Sequence, residues 1–322
     1  MQLTDGAPGA RVLAFGAYQP ARVVTNDELS QTVETTDEWI RSRVGIESRR
    51  IAGPDETVTD MAVQAGGKAL AASGLSPEDV DLVIVATCTP EVMIPNVSAS
   101  VAKRLGIVAP GAYDLNAACA GFCYALANAA DAVRTGTARN VLVVGAEKLS
   151  QWVDWTDRST CIIFADGAGA AVVGPVADPA DAAGIGPVHW GSDGGLAEKI
   201  YIKDRDAFIF QEGQAVFRWA TSALAPIALQ ACQKAGVDPT ELAVFVPHQA
   251  NLRIIEAIAR KLGAPQALVA DDIVTAGNTS SASIPMALSR MIERGEVASG
   301  AKALLLGFGA GMCYAAQVIT VP

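Results

Sequence analysis

The chain has 322 residues, enough for about two domains, and a composition of 51% apolar and 18% charged residues excludes general disorder. Its 24 Lys and Arg against 34 Asp and Glu give a net charge of −10, which argues against a nucleic-acid partner. No apolar run approaches the roughly 20 residues of a membrane helix, and the N-terminus lacks a leader pattern, so we expect a cytoplasmic protein with no membrane partner.

Ala-rich stretches at helical spacing alternate along the chain with short buried runs of β-branched residues, which predicts an α/β protein. The apolar runs lack period-two alternation, as expected for strands covered on both faces of a mostly parallel sheet. A DGAG segment (166–169) predicts a tight turn between strands. In chain order, the patterns predict a helix over 57–72, strands within 74–86 and up to 116, a helix over 122–135, strands over 139–146 and 243–246, a helix from 252, and strands within 301–308 and 312–321.

The chain repeats itself at a shift of 162 residues. This shift lays GLSPEDVDLVIVA (74–86) on GVDPTELAVFVPH (236–248), DLNAACAG (114–121) on AGNTSSAS (276–283), and RNVLVVGA (139–146) on AKALLLGF (301–308). Three matches at one shift predict a duplicated architecture, with halves over 1–174 and 175–322 and a Pro- and Gly-rich joint over 174–187. Ligands bind beyond the carboxyl ends of parallel strands, so equivalent strand ends of the two halves are expected to face one pocket.

Three residues at such strand ends have side chains suited to chemistry. Cys119 precedes a predicted helix, whose N-terminal dipole favours a thiolate nucleophile, although packing among alanines is an alternative explanation. His248 ends a predicted buried strand and lies beside the polar Gln249 and Asn251. It can serve as a hydrogen-bond donor, as an acid or base, or as a structural histidine. Asn278 follows the strand equivalent to that of Cys119, and its amide serves in a site or caps a turn.

Other signals favour structural roles. GFGAG (307–311) precedes a predicted strand and not a helix, so it does not indicate a dinucleotide-binding loop. Six cysteines without a CxxC pair predict reduced thiols, with Cys123 in the core one turn after Cys119. Only two histidines are present, and His189 lies in a Gly- and Pro-rich connection, which disfavours a metal site.

Five segments together carry a family resemblance that covers nearly the whole chain. The segments are TTDEWIRSRVGI (35–46), AACAGF (117–122), PHQANLRI (247–254), GNTSSAS (277–283) and GFGAG (307–311). In this order and spacing they resemble β-ketoacyl-acyl-carrier-protein synthase III of the thiolase superfamily. The resemblance implies a duplicated thiolase-like αβαβα layered fold, in agreement with the internal repeat. It further implies that Cys119 accepts the acyl group, that His248 and Asn278 promote decarboxylation, and that the N–H groups of Cys119 and Ala310 form the oxyanion hole.

The implied reaction is a decarboxylative Claisen condensation of an acyl-CoA primer with malonyl-acyl carrier protein. It yields a 3-oxoacyl-acyl carrier protein, initiates fatty acid synthesis, and needs no metal or other cofactor, since acyl-CoA is a substrate. The protein is expected to be a homodimer. By the same resemblance, CoA is expected to bind Trp39, Arg43, Arg158 and Asn251. The acyl pocket is expected to be shaped by Phe308 and by Ile94, which reaches across the dimer. The carrier protein is expected to dock on Arg218, Arg253, Arg260 and Lys261.

Alternatives follow from the same residues. Taken alone, Trp39 is equally explained as a core or surface aromatic residue. The segment NLRIIEAIARKL (251–262) predicts a helix near the mouth of the site, and its charges are also explained as an ordinary solvated helix face. The main functional alternative is a related condensing or acyl-transfer enzyme of a secondary-metabolite pathway. A non-catalytic scaffold would lack the Cys, His and Asn set, and a cysteine hydrolase would release free acid without accumulating acyl-enzyme. The sequence does not define the preferred primer.

Overall fold

The computed structural model describes residues 6–176, 178 and 184–322. Residues 1–5, and residues 177 and 179–183 of the predicted joint, lie outside the described residues. The boundary between the halves at 174/175 stays a prediction.

The first half of the chain builds one sheet and the helices that cover it. Its elements are β1 (Ala10–Tyr18), β2 (Arg22–Thr25), α1 (Asn26–Leu29), α2 (Asp37–Val44), β3 (Ser48–Ile51), α3 (Val58–Ser73), β4 (Leu82–Ala86), α4 (Val97–Arg104), β5 (Gly111–Leu115), α5 (Gly121–Arg134), β6 (Val141–Lys148) and β7 (Asp166–Pro175). Among the described residues the main sheet has the strand order β1-β7-β6-β4-β5, and β2 pairs with β3 apart from it.

The second half builds a second sheet. Its elements are β8 (His189–Gly191), β9 (Ile200–Tyr201), β10 (Phe210–Gln211), α6 (Gly213–Ala235), β11 (Val244–Pro247), α7 (Leu252–Leu262), β12 (Leu268–Val269), α8 (Ile273–Ala276), α9 (Ser283–Glu293), β13 (Lys302–Phe308) and β14 (Tyr314–Thr320). Within the described ranges its strand order is β12-β11-β13-β14-β8. In reverse this order is β8-β14-β13-β11-β12, so β8, β14, β13, β11 and β12 occupy the positions of β1, β7, β6, β4 and β5 in the first sheet.

The duplication is confirmed in detail. Helix α3 ends at Ser73 and α6 ends at Ala235, which are related by the same shift of 162 residues. Each is capped by a glycine in the left-handed region, with φ 72° in the first half and 66° in the second. The short 3-10 turns Pro77–Asp79 and Pro239–Glu241 follow in equivalent positions.

The layers follow the predicted αβαβα order. Helices α5 and α9 lie between the two sheets, where a buried cluster joins Phe122 and Leu126 to Leu288 and Leu305. Helices α3 and α4 cover the outer face of the first sheet, and α6 and α7 cover the outer face of the second. A separate apolar cluster around α2 and residues 161–164 lies over one end of the sheets.

Each sheet is mostly parallel, as predicted, since four of its five strands run in one direction, but β7 and β14 run antiparallel to their neighbours. One detail of the predicted fold is wrong. Residues 166–169 form the start of β7 and not a turn. Their glycines serve close packing, since a Cβ on Gly169 would lie 2.6 Å from the backbone nitrogen of Met286 in α9.

Candidate active site

One cavity of about 900 Å3 receives the side chains predicted to carry chemistry. Its lining includes Cys119, His248 and Asn278, together with Phe308 and Ala310. Cys119 follows β5, His248 follows β11, and Phe308 and Ala310 lie at and just beyond the end of β13. Asn278 follows helix α8, which separates it from β12, so the prediction that Asn278 directly follows a strand is wrong. The prediction that both halves contribute to one pocket is confirmed.

Cys119 lies in the 3-10 turn between β5 and α5, immediately before the helix, as predicted. The residue before it, Ala118, adopts a left-handed φ of 47°, and the side chain of Asn116 accepts a hydrogen bond from its N–H at 3.1 Å. Gly309 allows the strand end of β13 to cross directly over the thiol, because a Cβ there would lie 2.7 Å from the Cβ of Cys119. The turn and the glycine together fix the thiol in the cavity.

Burial opposes ionisation of the Cys119 thiol. It raises the pKa of Cys119 from 9.0 to about 12, and the charge of Glu147 raises it as well, while the Ser280 hydroxyl and the N–H of Cys119 itself lower it. The helix start, which favours a thiolate, and burial therefore act on this thiol in opposite directions.

His248 is fully buried, and burial lowers its pKa from 6.5 to about 3, so the imidazole is neutral. Its Nδ1 lies 2.7 Å from the Oγ of Ser283, and the same Oγ accepts a hydrogen bond from the N–H of Gln249 at 3.3 Å. The Ser283 hydroxyl has one proton that it can donate to Nδ1, and in that tautomer the proton of the neutral imidazole lies on Nε2. The edge of the Phe308 ring packs on the imidazole with centroids 5.2 Å apart.

Asn278 is oriented by its own turn. Its backbone pairs with Ile163 and Ala165 at 2.9 Å each, and its Oδ1 accepts a hydrogen bond from the N–H of Ser280 at 2.9 Å. This turn repeats the Asn116 turn of the first half, including a left-handed φ of 51° at Ser280. Because Oδ1 is engaged, the amide NH2 of Asn278 is the end that remains to donate.

The residues predicted to bind CoA gather around helix α2. The Arg158 guanidinium lies 4.7 Å from the Trp39 ring centroid and the Arg43 guanidinium lies 5.5 Å from it. Asn251 caps α7 and donates to the carbonyl of Arg43 at 3.1 Å. Trp39, Arg43 and Asn251 line the cavity. The guanidinium of Arg158 already covers the indole, so an adenine entering between them has to displace it.

The predicted docking and acyl-pocket residues divide into two groups. Arg218 and Arg253 line the cavity mouth, with Arg253 5.3 Å from the Phe217 ring centroid. Arg260 and Lys261 do not line the cavity, because they lie two turns further along α7, where Arg260 faces Glu256 at 3.8 Å and Lys261 donates to α6 at 2.6 Å. Their predicted place near the mouth and their role in docking stay predictions.

Phe308 lines the cavity, as predicted. Ile94 does not line the cavity of its own chain, and its side chain is 88% exposed. This exposure leaves Ile94 available to a second subunit, so its role across a dimer stays a prediction.

The sequence analysis missed several polar residues of the site. Ser280 and Ser283 lie within the GNTSSAS segment, and Cys88 also lines the cavity. Glu147 is the last residue but one of strand β6 and is fully buried. A carboxylate near the end of an otherwise apolar strand could have been recognised in the sequence. Among the described residues, no three His, Cys, Asp or Glu side chains lie close enough to hold a metal ion.

A duplicated αβαβα fold whose two halves bring a cysteine, a neutral histidine and an asparagine into one cavity defines the class of thiolase-fold condensing enzymes. The family models described as 3-oxoacyl-[acyl-carrier-protein (ACP)] synthase III and its C-terminal part match residues 113–194 and 232–321. The chain is 56% identical to beta-ketoacyl-[acyl-carrier-protein] synthase III 4 of Streptomyces coelicolor, over 98% of this chain and 99% of that protein.

Solved structures agree with these sequence matches. The priming beta-ketosynthase from the R1128 polyketide biosynthetic pathway is 44% identical, with a TM-score of 0.95 over 100% of this chain and 98% of the other. The 3-oxoacyl-[acyl-carrier-protein] synthase III from Aquifex aeolicus is 42% identical, with a TM-score of 0.93 over 97% and 100%. The chain therefore belongs to the 3-oxoacyl-[acyl-carrier-protein] synthase III family, and it is an acyl-transferring condensing enzyme. No helix in the described part of the chain is long and apolar enough to span a membrane.

Proposed function

We propose that this enzyme condenses an acyl-CoA primer with malonyl-acyl carrier protein, releasing CO2 and CoA and giving a 3-oxoacyl-acyl carrier protein that initiates fatty acid synthesis in the cytoplasm. The observation that carries the proposal is the convergence of Cys119, neutral His248 and the oriented Asn278 amide in one cavity. The activity needs no metal or other cofactor, because each step uses side chains and backbone groups of the chain.

In the first half-reaction, the Cys119 sulfur attacks the acyl-CoA carbonyl and CoA leaves as a thiol. The N–H groups of Cys119 and Ala310 stabilise the oxyanion of the tetrahedral intermediate. Gly309 supports this role, because its close approach brings the backbone of residues 309–310 against Cys119.

In the second half-reaction, the malonyl thioester loses CO2 and the electron pair moves to its carbonyl oxygen as an enolate. The Nε2–H of His248 and the amide of Asn278 donate hydrogen bonds to that oxygen. A neutral imidazole is the suitable donor, since an imidazolium would protonate the carbanion that must attack the acyl-Cys119 thioester. Attack expels the Cys119 thiolate and forms the new carbon–carbon bond.

The approach to Cys119 suits the CoA and carrier-protein arms. Trp39 and Arg158 stack the adenine, Arg43 contacts phosphate groups, and Asn251 contacts the pantetheine amides. Arg218 and Arg253 at the cavity mouth supply positive charge that attracts an acidic carrier protein. This local attraction has to overcome the repulsion between the carrier protein and a chain whose net charge is −10. Arg260 and Lys261 extend this positive face along α7, away from the mouth.

The functional partner of the chain is a second copy of itself. The edge strand β5 and the exposed apolar side chains of Met93, Ile94 and Val108 are the features of the first half that support a homodimer. In that dimer, Ile94 closes the acyl pocket of the other subunit. Light scattering that gives the mass of a monomer at micromolar concentration would contradict this assembly.

Intact-mass analysis tests the two half-reactions separately. Incubation with a panel of acyl-CoA primers should add one acyl group, and malonyl-acyl carrier protein should then remove it as the 3-oxoacyl product. Cys119→Ala should abolish the mass increment and Cys123→Ala, which changes a buried thiol one turn away, should keep it. His248→Ala should take up the acyl group and fail to release it. An increment that persists in Cys119→Ala contradicts the proposal.

A secondary-metabolite role is the second candidate, and the likeness to the R1128 priming ketosynthase favours it. The two candidates differ in the carrier protein that delivers the malonyl group. The ratio of kcat/KM for malonylated carrier proteins of fatty acid and of polyketide synthesis distinguishes them, and a preference for the polyketide carrier would replace the fatty acid assignment.

A further inference from the structure

Gln249 is a buried glutamine that the proposed mechanism leaves without a role. Its neighbours His248, Ala250 and Asn251 line the cavity, whereas Gln249 does not, and it is only 1% exposed. A polar side chain that is withdrawn from both substrate and water must find its hydrogen-bond partners within the protein. Those partners show which parts of the site Gln249 holds together.

The side-chain amide of Gln249 joins three separate pieces of backbone. Its Nε2 donates to the carbonyl of Pro247, the last residue of β11, at 2.8 Å and to the carbonyl of Ala270 at 3.2 Å. Its Oε1 accepts a hydrogen bond from the N–H of Ile273, the first residue of α8, at 3.0 Å. An amide satisfies two carbonyls and one N–H together, which neither a carboxylate nor an apolar side chain can do.

One end of this connection is the strand end that presents His248. Pro247 immediately precedes His248, whose N–H donates to the carbonyl of Leu306 in β13 at 2.8 Å. The backbone N–H of Gln249 donates at 3.3 Å to Oγ of Ser283, which also lies 2.7 Å from Nδ1 of His248. Gln249 is therefore bonded both to the backbone that carries the imidazole and to the hydroxyl that orients it.

The other end of the connection leads to Asn278. Helix α8 is a single turn that begins at Ile273, and the N–H of Gly277 closes it by donating to the carbonyl of Ile273 at 3.0 Å. Asn278 follows directly and lines the cavity. A hydrogen bond to the first N–H of a one-turn helix fixes the position of that turn, so Gln249 sets the place from which Asn278 extends.

We propose that Gln249 is a positioning residue that holds the His248 imidazole and the Asn278 amide at the separation required by one enolate oxygen. This inference rests on the proposed function, in which these two side chains donate to that oxygen. Groups that act together on a reacting atom have to be held within about 0.5 Å of their productive positions. Because His248 follows β11 and Asn278 follows α8, a bond between these two elements keeps the donors in register.

The first half-reaction does not depend on this connection. Cys119 lies between β5 and α5, and in the described part of the chain no hydrogen bond of Gln249 reaches these elements. Helix α8 also keeps a second anchor, the salt bridge from Asp272 to Arg290 of α9 at 2.9 Å. Removal of the Gln249 amide should therefore displace the donors while the fold and the acylation of Cys119 are retained.

The test compares the two half-reactions in Gln249→Met, whose side chain has the same length but makes none of the three hydrogen bonds. Acyl-enzyme is prepared with acyl-CoA, and the single-turnover rate of CO2 release is measured against the concentration of malonyl-acyl carrier protein. A displacement of about 1 Å costs up to about 10²-fold, so we expect the maximal rate to fall between about 10- and 100-fold. The half-saturating concentration and the acylation rate should keep their wild-type values, because Gln249 touches neither substrate.

Gln317→Met is the matched control. Gln317 is a second fully buried glutamine of the C-terminal half, and its Nε2 donates to the carbonyl of Cys123 at 3.5 Å. Among the described residues it has no side-chain hydrogen bond to β11 or α8, so both half-reactions should proceed at wild-type rates. An unchanged rate of CO2 release in Gln249→Met overturns the positioning role, as does an equal loss in Gln317→Met or an equal loss of both half-reactions.

Gln249→Glu is the conservative variant. At pH 6 its carboxyl should be neutral, because burial disfavours the charged form. It then accepts from the N–H of Ile273 and donates to one of the two carbonyls. At this pH it should release CO2 faster than Gln249→Met, and equal rates would overturn the assignment to these hydrogen bonds. If Gln249→Met does not fold, Gln249→Glu is compared with wild type by the same two half-reactions and the same criteria.

Hydrogen exchange of the protein without substrate separates this inference from the proposed function. If wild-type acyl-enzyme releases no CO2 from malonyl-acyl carrier protein, the proposed function fails, and hydrogen exchange still decides whether Gln249 joins these elements. The backbone N–H groups of residues 270–278 should exchange faster in Gln249→Met than in wild type and in Gln317→Met. Equal exchange of this segment in all three proteins refutes the connection.

Discussion

Protonation of His248 should couple folding stability to pH in a measurable way. Burial lowers its pKa from 6.5 to about 3, so the unfolded chain binds a proton between these values that the folded chain does not. A group of this kind contributes full stability above pH 6.5 and loses it as pH falls. With these two pKa values, the contribution of His248 to the free energy of unfolding should drop by about 1.4 kcal/mol between pH 8 and pH 5.5, and by about 2.7 kcal/mol between pH 8 and pH 4.5.

The comparison of wild-type protein with His248→Gln isolates this effect. Urea unfolding followed by tryptophan fluorescence gives the free energy of each protein at each pH, and their difference should shrink by about 1.4 kcal/mol from pH 8 to 5.5. The buried Glu147 and Asp166, whose pKa values are raised by burial, change stability in the opposite direction but are present in both proteins. A difference that stays constant with pH would refute a neutral buried imidazole. His189→Gln is the control, and it should retain the loss due to His248.

Three further substitutions test how the site is positioned. Gly309→Ala places a methyl group 2.7 Å from the Cys119 Cβ, so we expect acylation to fall at least tenfold and stability to fall by about 1–3 kcal/mol, measured by intact mass and urea unfolding. Ser283→Ala removes the partner of Nδ1 of His248 and should slow decarboxylation about tenfold while acylation keeps its rate and pH profile. Arg253→Glu should raise KM for malonyl-acyl carrier protein and weaken its salt dependence, with acylation by acyl-CoA nearly unchanged.

Each of these substitutions has a control or a decisive contrary result. Gly213→Ala also changes a glycine of the cavity lining, yet its Cβ has 4.0 Å to its nearest neighbour, so it should acylate normally. Ser289→Ala removes another buried serine hydroxyl from α9, and a decarboxylation loss equal to that of Ser283→Ala would indicate a general effect on the helix. A comparable loss with acyl-CoA in Arg253→Glu would place Arg253 in the shared entrance and not in carrier docking.

The sequence predicted what depends on local pattern. The pattern predicted helix α3, and the repeat predicted that the segment after α3 is equivalent to the segment after α6, because helix ends and tight turns are set by neighbouring residues. It did not predict that β7 and β14 reverse direction, since a fully buried strand has the same apolar run in either direction. The glycines of residues 166–169 were misassigned because close packing of a helix on a strand and a tight turn both select glycine.

The candidate site shows the same division. Cys119, His248 and Asn278 stand out in sequence as polar or reactive residues at predicted strand ends. Their partners do not, because Ser283 meets His248 only when α9 packs between the two sheets. Desolvation of the Cys119 thiol is likewise a property of the assembled cavity, which a dipole argument from sequence alone does not include.

The duplicated asparagine turns separate structural from chemical roles in a final prediction. Asn116 and Asn278 each accept a hydrogen bond from the N–H two residues later, at 3.1 and 2.9 Å. Substitution by aspartate keeps that acceptor oxygen, removes the amide donor and adds a negative charge. Asn278→Asp should therefore retain acylation of Cys119 and lose decarboxylation by at least about 10²-fold, the scale of one lost oxyanion donor, because a carboxylate repels the enolate. Asn116→Asp should keep both half-reactions, measured by intact mass and CO2 release, and an equal loss of decarboxylation in the two variants would show that the turn, and not the Asn278 amide, is what the reaction requires.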